Sequence, residues 1–518
     1  MLMSAAEYRE SLRAYKPRVF VDGQVVDSVA DSPALAPGIA AIGVTYDLAL
    51  QPQYAQMMTA TNAAGQTVNR MIHIDETAAD LLSKLEAVRS VCQESGCAQR
   101  YLSHDALTAL HQGTFSADAE HGTDYHQHFA AYLERVQAQD LTLGVAMTDA
   151  KGDRAKKPGQ QANTDAYVHI TQRRPNGIVI RGTKAIVTGA PYVHEFLVMP
   201  CRTMTPEDAD FAVACAVPID APGITIVARP AGRPGEKAAT FSARYGQSTA
   251  VVIFDDVFVP WDHVFMAGET EAAGFLTTTY ATHHRHSCIG ARAGFGDLLI
   301  GAGALMIDAN GLDPARHSHI RDQMVELITM VEGFYACGVA ASTYATEHPS
   351  GTVIPDAVFA NIGKLLLANQ IYDMHRVAHY VSGGLIVALP GPDEDHNPET
   401  AAALDTVLGG RSDIPTSKRL AVSRMVEDLT ASYQGGWYSI ISLHGGGSPE
   451  AMKREIWRNY PIPEKTQLVE NLLDRGVSGN RPLSSRQPGK CCATGCQPPA
   501  LTAPPAETTS AAAASSCL

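Results

Sequence analysis

The chain has 518 residues, 45% of them hydrophobic, and a formal net charge of −14 without an extended basic run. That length supports large cores and about two to four domains, while dispersed acidity argues against nucleic acid or an anionic membrane as partner. The opening Met1-Leu2-Met3-Ser4 carries no charged and apolar leader, and no later stretch reads as a spanning helix free of polar interruption, so a soluble cytoplasmic protein is expected.

Residues 4–16 have helix-forming spacing, and Arg18 to Val26 reads as a small hairpin turned at Asp22-Gly23. Helical patterns dominate from about 47 to 141. Within them Asp75 is expected to cap a helix running to Glu94, on which Leu81, Leu82, Leu85 and Val88 repeat at helical spacing. From about 142 to 265 the period changes to short β-rich runs, one pair joined at Pro175-Asn176-Gly177, which predicts an antiparallel β domain. Strands and helices do not alternate around a Gly-x-Gly-x-x-Gly word, which excludes a Rossmann cofactor domain; Gly294-Phe295-Gly296 reads instead as close helix packing.

Long helices are expected at 273–308, 315–346, 356–384 and 415–443, and shorter ones near 398–409, 448–459 and 464–475, separated by breakers such as Pro314, Pro349, Pro355 and Pro390. Several, such as Val358 to Ile371, are apolar on more than one face, which points to burial between helices or subunits and an expected homotetramer. From about 478 a Pro/Ala/Ser/Thr-rich tail is expected to be disordered; its Cys491, Cys492 and Cys496 lack a fourth nearby ligand. The remaining thiols, Cys92, Cys97, Cys201, Cys215, Cys288 and Cys337, with Cys517 in the tail, form no disulfide framework.

The chain centres on His283-His284-Arg285-His286-Ser287-Cys288, flanked by apolar helical sequence. On a helix His284 and Cys288 share one face and His283 and His286 point elsewhere, so only part of the cluster can address one site. By itself this pattern fits a satisfied core as well as a site.

The succession of helices, β domain and long helices resembles the acyl-CoA dehydrogenase fold, an α+β class. The division is an N-terminal helical domain (1–141), a middle antiparallel β domain (142–272), a C-terminal helical bundle (273–477) and the tail (478–518). Met147-Thr148-Asp149-Ala150-Lys151-Gly152-Asp153-Arg154, Arg181 to Ala190, the histidine stretch and Ser382-Gly383-Gly384-Leu385 resemble the 4-hydroxyphenylacetate 3-hydroxylase / 4-hydroxybutyryl-CoA dehydratase flavoprotein family. The resemblance covers about residues 4–475. It implies FAD, with its ring held by Met147, Thr148 and Asp149 and by Thr188, Gly189 and Ala190, and Arg154 as a further cofactor contact. Small residues and free backbone N–H groups at strand ends suit a flat ring with a polar edge.

The dehydratases of this family hold an iron–sulfur cluster with three cysteines and one histidine. Cys97 and His284 match two of those positions, Tyr101 and Ala291 the other two, and Cys288 stands where the dehydratases have a tyrosine. A cluster needs a full thiolate-rich set, so no metal is expected, although a rebuilt site using Cys97, His284 and Cys288 stays open. The hydroxylase branch needs no metal: a separate flavin reductase delivers reduced FAD and a histidine matching His284 orients or deprotonates a phenol. Its phenol-gripping Arg-Ser-Pro-Asp-Tyr word corresponds here to Leu102-Ser103-His104-Asp105-Ala106, and an expected histidine to Val145, so 4-hydroxyphenylacetate itself is not the expected substrate. The leading expectation is a two-component, reduced-FAD-dependent monooxygenase hydroxylating a phenolic aromatic, with His284 catalytic. The alternative is a redox-neutral, FAD-containing acyl-CoA dehydratase or isomerase.

Overall fold

The β-rich middle forms two sheets. The computed structural model describes residues 1–239 and 241–475. In the larger sheet the strand order is Gln24–Val25, Val19–Val21, Ile224–Ala228, Thr249–Pro260, Gly177–Thr188, His169–Arg174; in the smaller it is Val264–Ala267, Val213–Pro218, Glu195–Val198, Leu143–Ala146. Alternation explains the long strand Thr249–Pro260: Ala250, Val252 and Phe254 face the core, and the phase slips at Asp256, whose φ of 53° marks a bulge, before Val257 and Val259 turn inward. Antiparallel pairing dominates. Two pairs are parallel, Val19–Val21 with Ile224–Ala228 and Leu143–Ala146 with Glu195–Val198. The expected Asp22-Gly23 hairpin forms, both residues having positive φ, but it is an edge of the larger sheet and so ties the start of the chain to the middle region.

Seven helices position the rest: α1 (Ala78–Ser95), α2 (Tyr101–His121), α3 (Thr270–Ala309), α4 (Ser318–Thr343), α5 (Ala357–Ser382), α6 (Thr416–Thr430) and α7 (Tyr433–His444). The single helix expected at 415–443 is thus two, because Ser432 takes an extended conformation and its hydroxyl caps α7 through Gln434 and Gly435 N–H groups. Asp75 does not cap α1. Thr77 does, in a capping box with Asp80, and Asp75 is buried elsewhere. A small hairpin, Thr59–Thr61 with Thr67–Asn69, interrupts the expected helical run.

Helix α3 has 40 residues and is the spine of the molecule. Its glycines admit close neighbours: a Cβ on Gly290 would come within 2.7 Å of the Leu85 carbonyl oxygen and one on Gly294 within 2.2 Å of that of Arg89, while Gly296 lies against Val331. The close-packing reading of Gly294-Phe295-Gly296 is what the structure has. The sequence expectation of no membrane-length apolar stretch is corrected: α3 and α4 are long and apolar enough by length and composition, and most of the α3 window is buried inside the protein. Leu276 and Tyr280 on α3 belong to the hydrophobic core shared with the sheets, and Ile289, Ala293 and Phe295 to the core among the helices. The polar segment 282–288 falls where one core gives way to the other. The cysteine-rich tail lies outside the described residues.

Candidate active site

Six consecutive residues of α3 are all buried, which obliges each polar group to find a partner. They divide around the helix. His286 Nε2 meets Ser342 Oγ at 2.8 Å, and burial holds its pKa down at about 3, so it is a neutral packing group. Arg285 donates to the Gly446 carbonyl at 2.8 Å and to Asn361 Oδ1 at 2.7 Å. His283 lies 3.3 Å from Asp75 Oδ2 and 3.2 Å from Gln112 Oε1. The division expected from helical spacing, His284 and Cys288 together and the other two histidines apart, is what the structure has.

His284 Nε2 faces Cys288 Sγ at 3.6 Å, and its Nδ1 faces Asp105 Oδ2 at 3.2 Å. Tyr280 and Tyr101 flank the imidazole, nearly parallel to it, with centroids at 5.4 and 6.1 Å. Burial acts to lower the His284 pKa, but the Cys288 sulfur and the hydrogen bond to Asp105 outweigh it and carry it up to about 10. Burial pushes the Cys288 thiol up and the adjacent imidazolium overrides it, leaving the thiol below its usual range. Both shifts favour an imidazolium beside a more acidic thiol, with a carboxylate behind the ring.

Behind Asp105 runs a buried ionic cluster. Asp105 Oδ1 accepts from Ser287 Oγ at 2.6 Å and lies 3.5 Å from Lys84 Nζ, which is 2.6 Å from Asp75 Oδ2; Asp75 Oδ1 in turn is 2.9 Å from His104 Nε2. Lys84, Asp75, Asp105 and His104 are fully inaccessible. Such a set costs desolvation energy and fixes geometry. Sequence reasoning did not find this role for Asp105. The available signal was that Asp105 retains the aspartate of the Arg-Ser-Pro-Asp-Tyr word in a segment otherwise changed.

His284 and Cys288 open onto a narrow cleft with a cavity of about 40 Å³, lined among others by Cys97, Gln99, Tyr101, Thr188, Ala291, Arg292, Lys364 and Trp437. Both amide atoms of Gln99 are buried without a partner, a donor and an acceptor side by side. Thr188 lies in the cleft, and Gly189, with φ 77°, backs Gln99: a Cβ there would reach Gln99 Oε1 at 3.1 Å. Ala190 is buried beside them. Met147, Thr148, Asp149 and Arg154 do not line this cleft. The Met147 and Thr148 carbonyls accept from Lys184 Nζ at 2.9 Å and Ala185 N–H at 2.8 Å, Asp149 pairs with Lys184 at 2.8 Å, and Arg154 is exposed. So the structure brings Thr188 and Gly189 to His284, and lays the Met147–Asp149 stretch along the edge of the long strand Gly177–Thr188.

The four cluster-ligand positions, Cys97, Tyr101, His284 and Ala291, all line the cleft, so the side chains can be tested directly. Tyr101 Oη stands 3.8 Å from Cys97 Sγ, and Ala291 has no ligating atom. Among the described residues no group of three or more His, Cys, Asp or Glu is placed to hold a metal ion. These residues do not fit an iron–sulfur cluster.

An N-terminal helical region, two β sheets and a long-helix bundle, with a buried cleft against the sheet edge, make this an acyl-CoA dehydrogenase-like fold. Residues 4–266 match the family described as 4-hydroxyphenylacetate 3-hydroxylase N terminal, and 273–474 its C terminal. The chain belongs to the 4-hydroxyphenylacetate 3-hydroxylase / 4-hydroxybutyryl-CoA dehydratase family. It is 35% identical over 487 residues, 91% of this chain and 99% of the other, to the 4-hydroxybutyryl-CoA dehydratase/vinylacetyl-CoA-Delta-isomerase of Clostridium aminobutyricum. It is 24% identical, over 89% of this chain and 95% of the other, to the oxygenase component of 4-hydroxyphenylacetate 3-monooxygenase of Thermus thermophilus. Among solved structures, the oxygen-tolerant 4-hydroxybutyryl-CoA dehydratase of N. maritimus superposes with a TM-score of 0.88 at 34% identity, covering 94% of this chain and 97% of that one. An oxygenase component complexed with FAD superposes with 0.82 at 23%, covering 91% and 98%, a likeness of fold.

Proposed function

We propose that the protein is a redox-neutral, FAD-containing isomerase that moves a double bond within an unsaturated acyl-CoA thioester. The observation that carries this reading is the Cys288–His284–Asp105 line, a thiol and an imidazole in contact with a carboxylate behind the ring, in a cleft that lacks two of the four cluster ligands. The relative at 35% identity supports it over the phenol-hydroxylating alternative, whose representative stands at 24%. Of the two activities in that relative's name, isomerisation asks only for a proton to leave one carbon and another to arrive two carbons away. Dehydration also needs a hydrogen taken from a carbon that no carbonyl acidifies, and the cluster that the resemblance ties to that step has no ligand set here.

In a β,γ-unsaturated thioester the C2–H is acidified by both the carbonyl and the vinyl group. The Cys288 thiolate takes that proton, the electron pair spreads from C2 to C4, and the His284 imidazolium protonates C4. The C2–H bond breaks, a C4–H bond forms, and the double bond moves from C3=C4 to C2=C3 without any electron leaving the substrate. The new thiol then returns its proton to His284 across the 3.6 Å contact, restoring the starting state. Asp105 keeps the ring oriented throughout and favours its return to the protonated form after each turnover. FAD, when bound, would supply a flat electron-accepting surface to the cleft, and the unpaired amide of Gln99 with Thr188 suits its polar edge.

The second reading, a reduced-FAD-dependent monooxygenase served by a flavin reductase, rests on the same missing ligands, since hydroxylation needs no cluster. One experiment separates the two. Incubated with vinylacetyl-CoA in D2O, the holoenzyme is expected to yield crotonyl-CoA bearing deuterium, to leave 4-hydroxybutyryl-CoA unchanged and to contain no stoichiometric iron or sulfide. Absence of both exchange and product ends the isomerase reading, and a hydroxylated phenol formed from reduced FAD and oxygen would replace it with the second.

A further inference from the structure

Most buried lysines and arginines among the described residues are paired with carboxylates. Lys84 has Asp75, Arg100 has Asp140, Lys184 has Asp149 and Arg424 has Asp395. Two cations lining the cleft break the pattern: Arg292 and Lys364 are 4% and 1% exposed, and neither makes an ion pair with a carboxylate among the described residues. Arg292 Nη1 is buried with no hydrogen-bond partner, and Lys364 Nζ donates one 2.5 Å bond, to the Ser442 carbonyl. Arg285, about two turns before Arg292 on α3, also has amide and carbonyl hydrogen-bond partners only.

We infer that the cleft selects an acyl substrate whose far end carries a free carboxylate, received by Arg292 and Lys364. The inference rests on the isomerase reading for its acyl thioester and on the unpaired cations for its carboxylate. A buried guanidinium with an unused N–H costs free energy until an acceptor arrives, and its fork geometry suits a carboxylate. The groups already facing the two cations cannot supply one. Arg292 faces the thiols of Cys92, Cys97 and Cys288 and the Tyr101 phenol; Lys364 faces Cys288, Arg292 and Arg285. Leu102, Leu367, Trp437 and Ile441 line the same cleft and suit a short hydrocarbon chain between the carboxylate and the reacting carbons.

The test has a binding arm and a turnover arm, both on the FAD-loaded protein. Titrated calorimetrically with glutarate and with neutral glutaramide, the wild type is expected to bind glutarate alone, and R292Q and K364M to weaken it at least tenfold. R292K, which keeps the charge, is expected to keep most of the affinity, so a failure of R292Q to fold does not decide the matter. In turnover, 3-hexenedioyl-CoA is expected to exceed 3-hexenoyl-CoA in kcat/KM by about a hundredfold, and R292Q to erase the preference through KM. Equal kcat/KM for the two thioesters within threefold, or glutarate binding unchanged in both variants, overturns the inference. So does a R292Q effect confined to FAD affinity or reduction potential, which gives the cation to the cofactor. If neither thioester turns over yet glutarate binding is lost in the variants, the carboxylate site stands and the isomerase reading falls.

Discussion

Replacing Asp105 by asparagine removes one charge from the network behind His284 while keeping its shape. Asp105 Oδ2 is 3.2 Å from His284 Nδ1 and Oδ1 is 3.5 Å from Lys84 Nζ, both groups being buried. At an effective dielectric constant near 20, unit charges so spaced attract by about 5 kcal/mol, and removing one member of a buried ionic set costs about 3–5 kcal/mol once desolvation is included. Lys84 keeps Asp75 at 2.6 Å. The loss should therefore sit at the low end, about 3 kcal/mol. Its pH dependence follows from the two shifts. The folded pKa of His284, about 10, lies above its ordinary 6.5, so its contribution is complete below pH 6.5 and disappears as pH rises through 10. Asp105 is shifted the other way: burial would raise its pKa, but Lys84 and His284 hold it below the usual carboxylate range, so its contribution is present above its unfolded value and lost in acid. The stability gap between wild type and D105N should be widest near pH 6 and narrow toward pH 10, in urea unfolding followed by far-UV circular dichroism. Isomerisation should fall by about 10²–10⁴, the usual worth of positioned acid–base catalysis. A variant as stable as wild type within about 0.5 kcal/mol at pH 6, where ordinary surface changes fall, would refute the ionic account of this network. An unaltered pH–rate profile would separate His284 from Asp105.

His284→Ala should leave the fold largely intact and abolish turnover, and Cys288→Ser should cut the rate by about 10² or more because a hydroxyl does not ionise near neutrality; thermal melts beside initial rates distinguish either from simple unfolding. Gly294→Ala places a methyl 2.2 Å from the Arg89 carbonyl and should destabilise by about 1–3 kcal/mol, whereas Gly301→Ala on the same helix meets open space and should gain about 0.5–1 kcal/mol, both read by thermal unfolding. Burial lowers Lys364 to about 8 against the pull of the Cys288 sulfur, so it is charged below pH 8 and neutral above, and glutarate affinity should decline as pH rises through 8. Val325, Ile328 and Val339 on α4 and Tyr372 and Tyr380 on α5 are exposed in a single chain, and light scattering should find a homotetramer that covers such surface.

The architecture was legible because its signals are local. A turn of Asp22-Gly23, a change of period after residue 142 and glycines on a long apolar helix each report on near neighbours in sequence. The division of the His283–Cys288 stretch into one reactive face and several packed ones followed from helical geometry alone, since residues four apart must meet. What the sequence could not display were the partners brought in from elsewhere. Asp75 looked like a helix cap, because an acidic residue before an amphipathic run usually is one; Thr77 competes for that place with a hydroxyl and an Asp80 three residues on, which releases Asp75 to the interior. There it meets Lys84, His104 and His283. Met147 to Asp149 read as a flavin contact because small and polar residues at a strand end suit that role; the pairing of Asp149 with Lys184 is a tertiary contact that the local sequence does not display. In the sequence Arg292 is one more charged residue on a helix. Its significance depends on its forming no ion pair with a carboxylate among the described residues, a property of the surrounding fold that no spacing along the chain records.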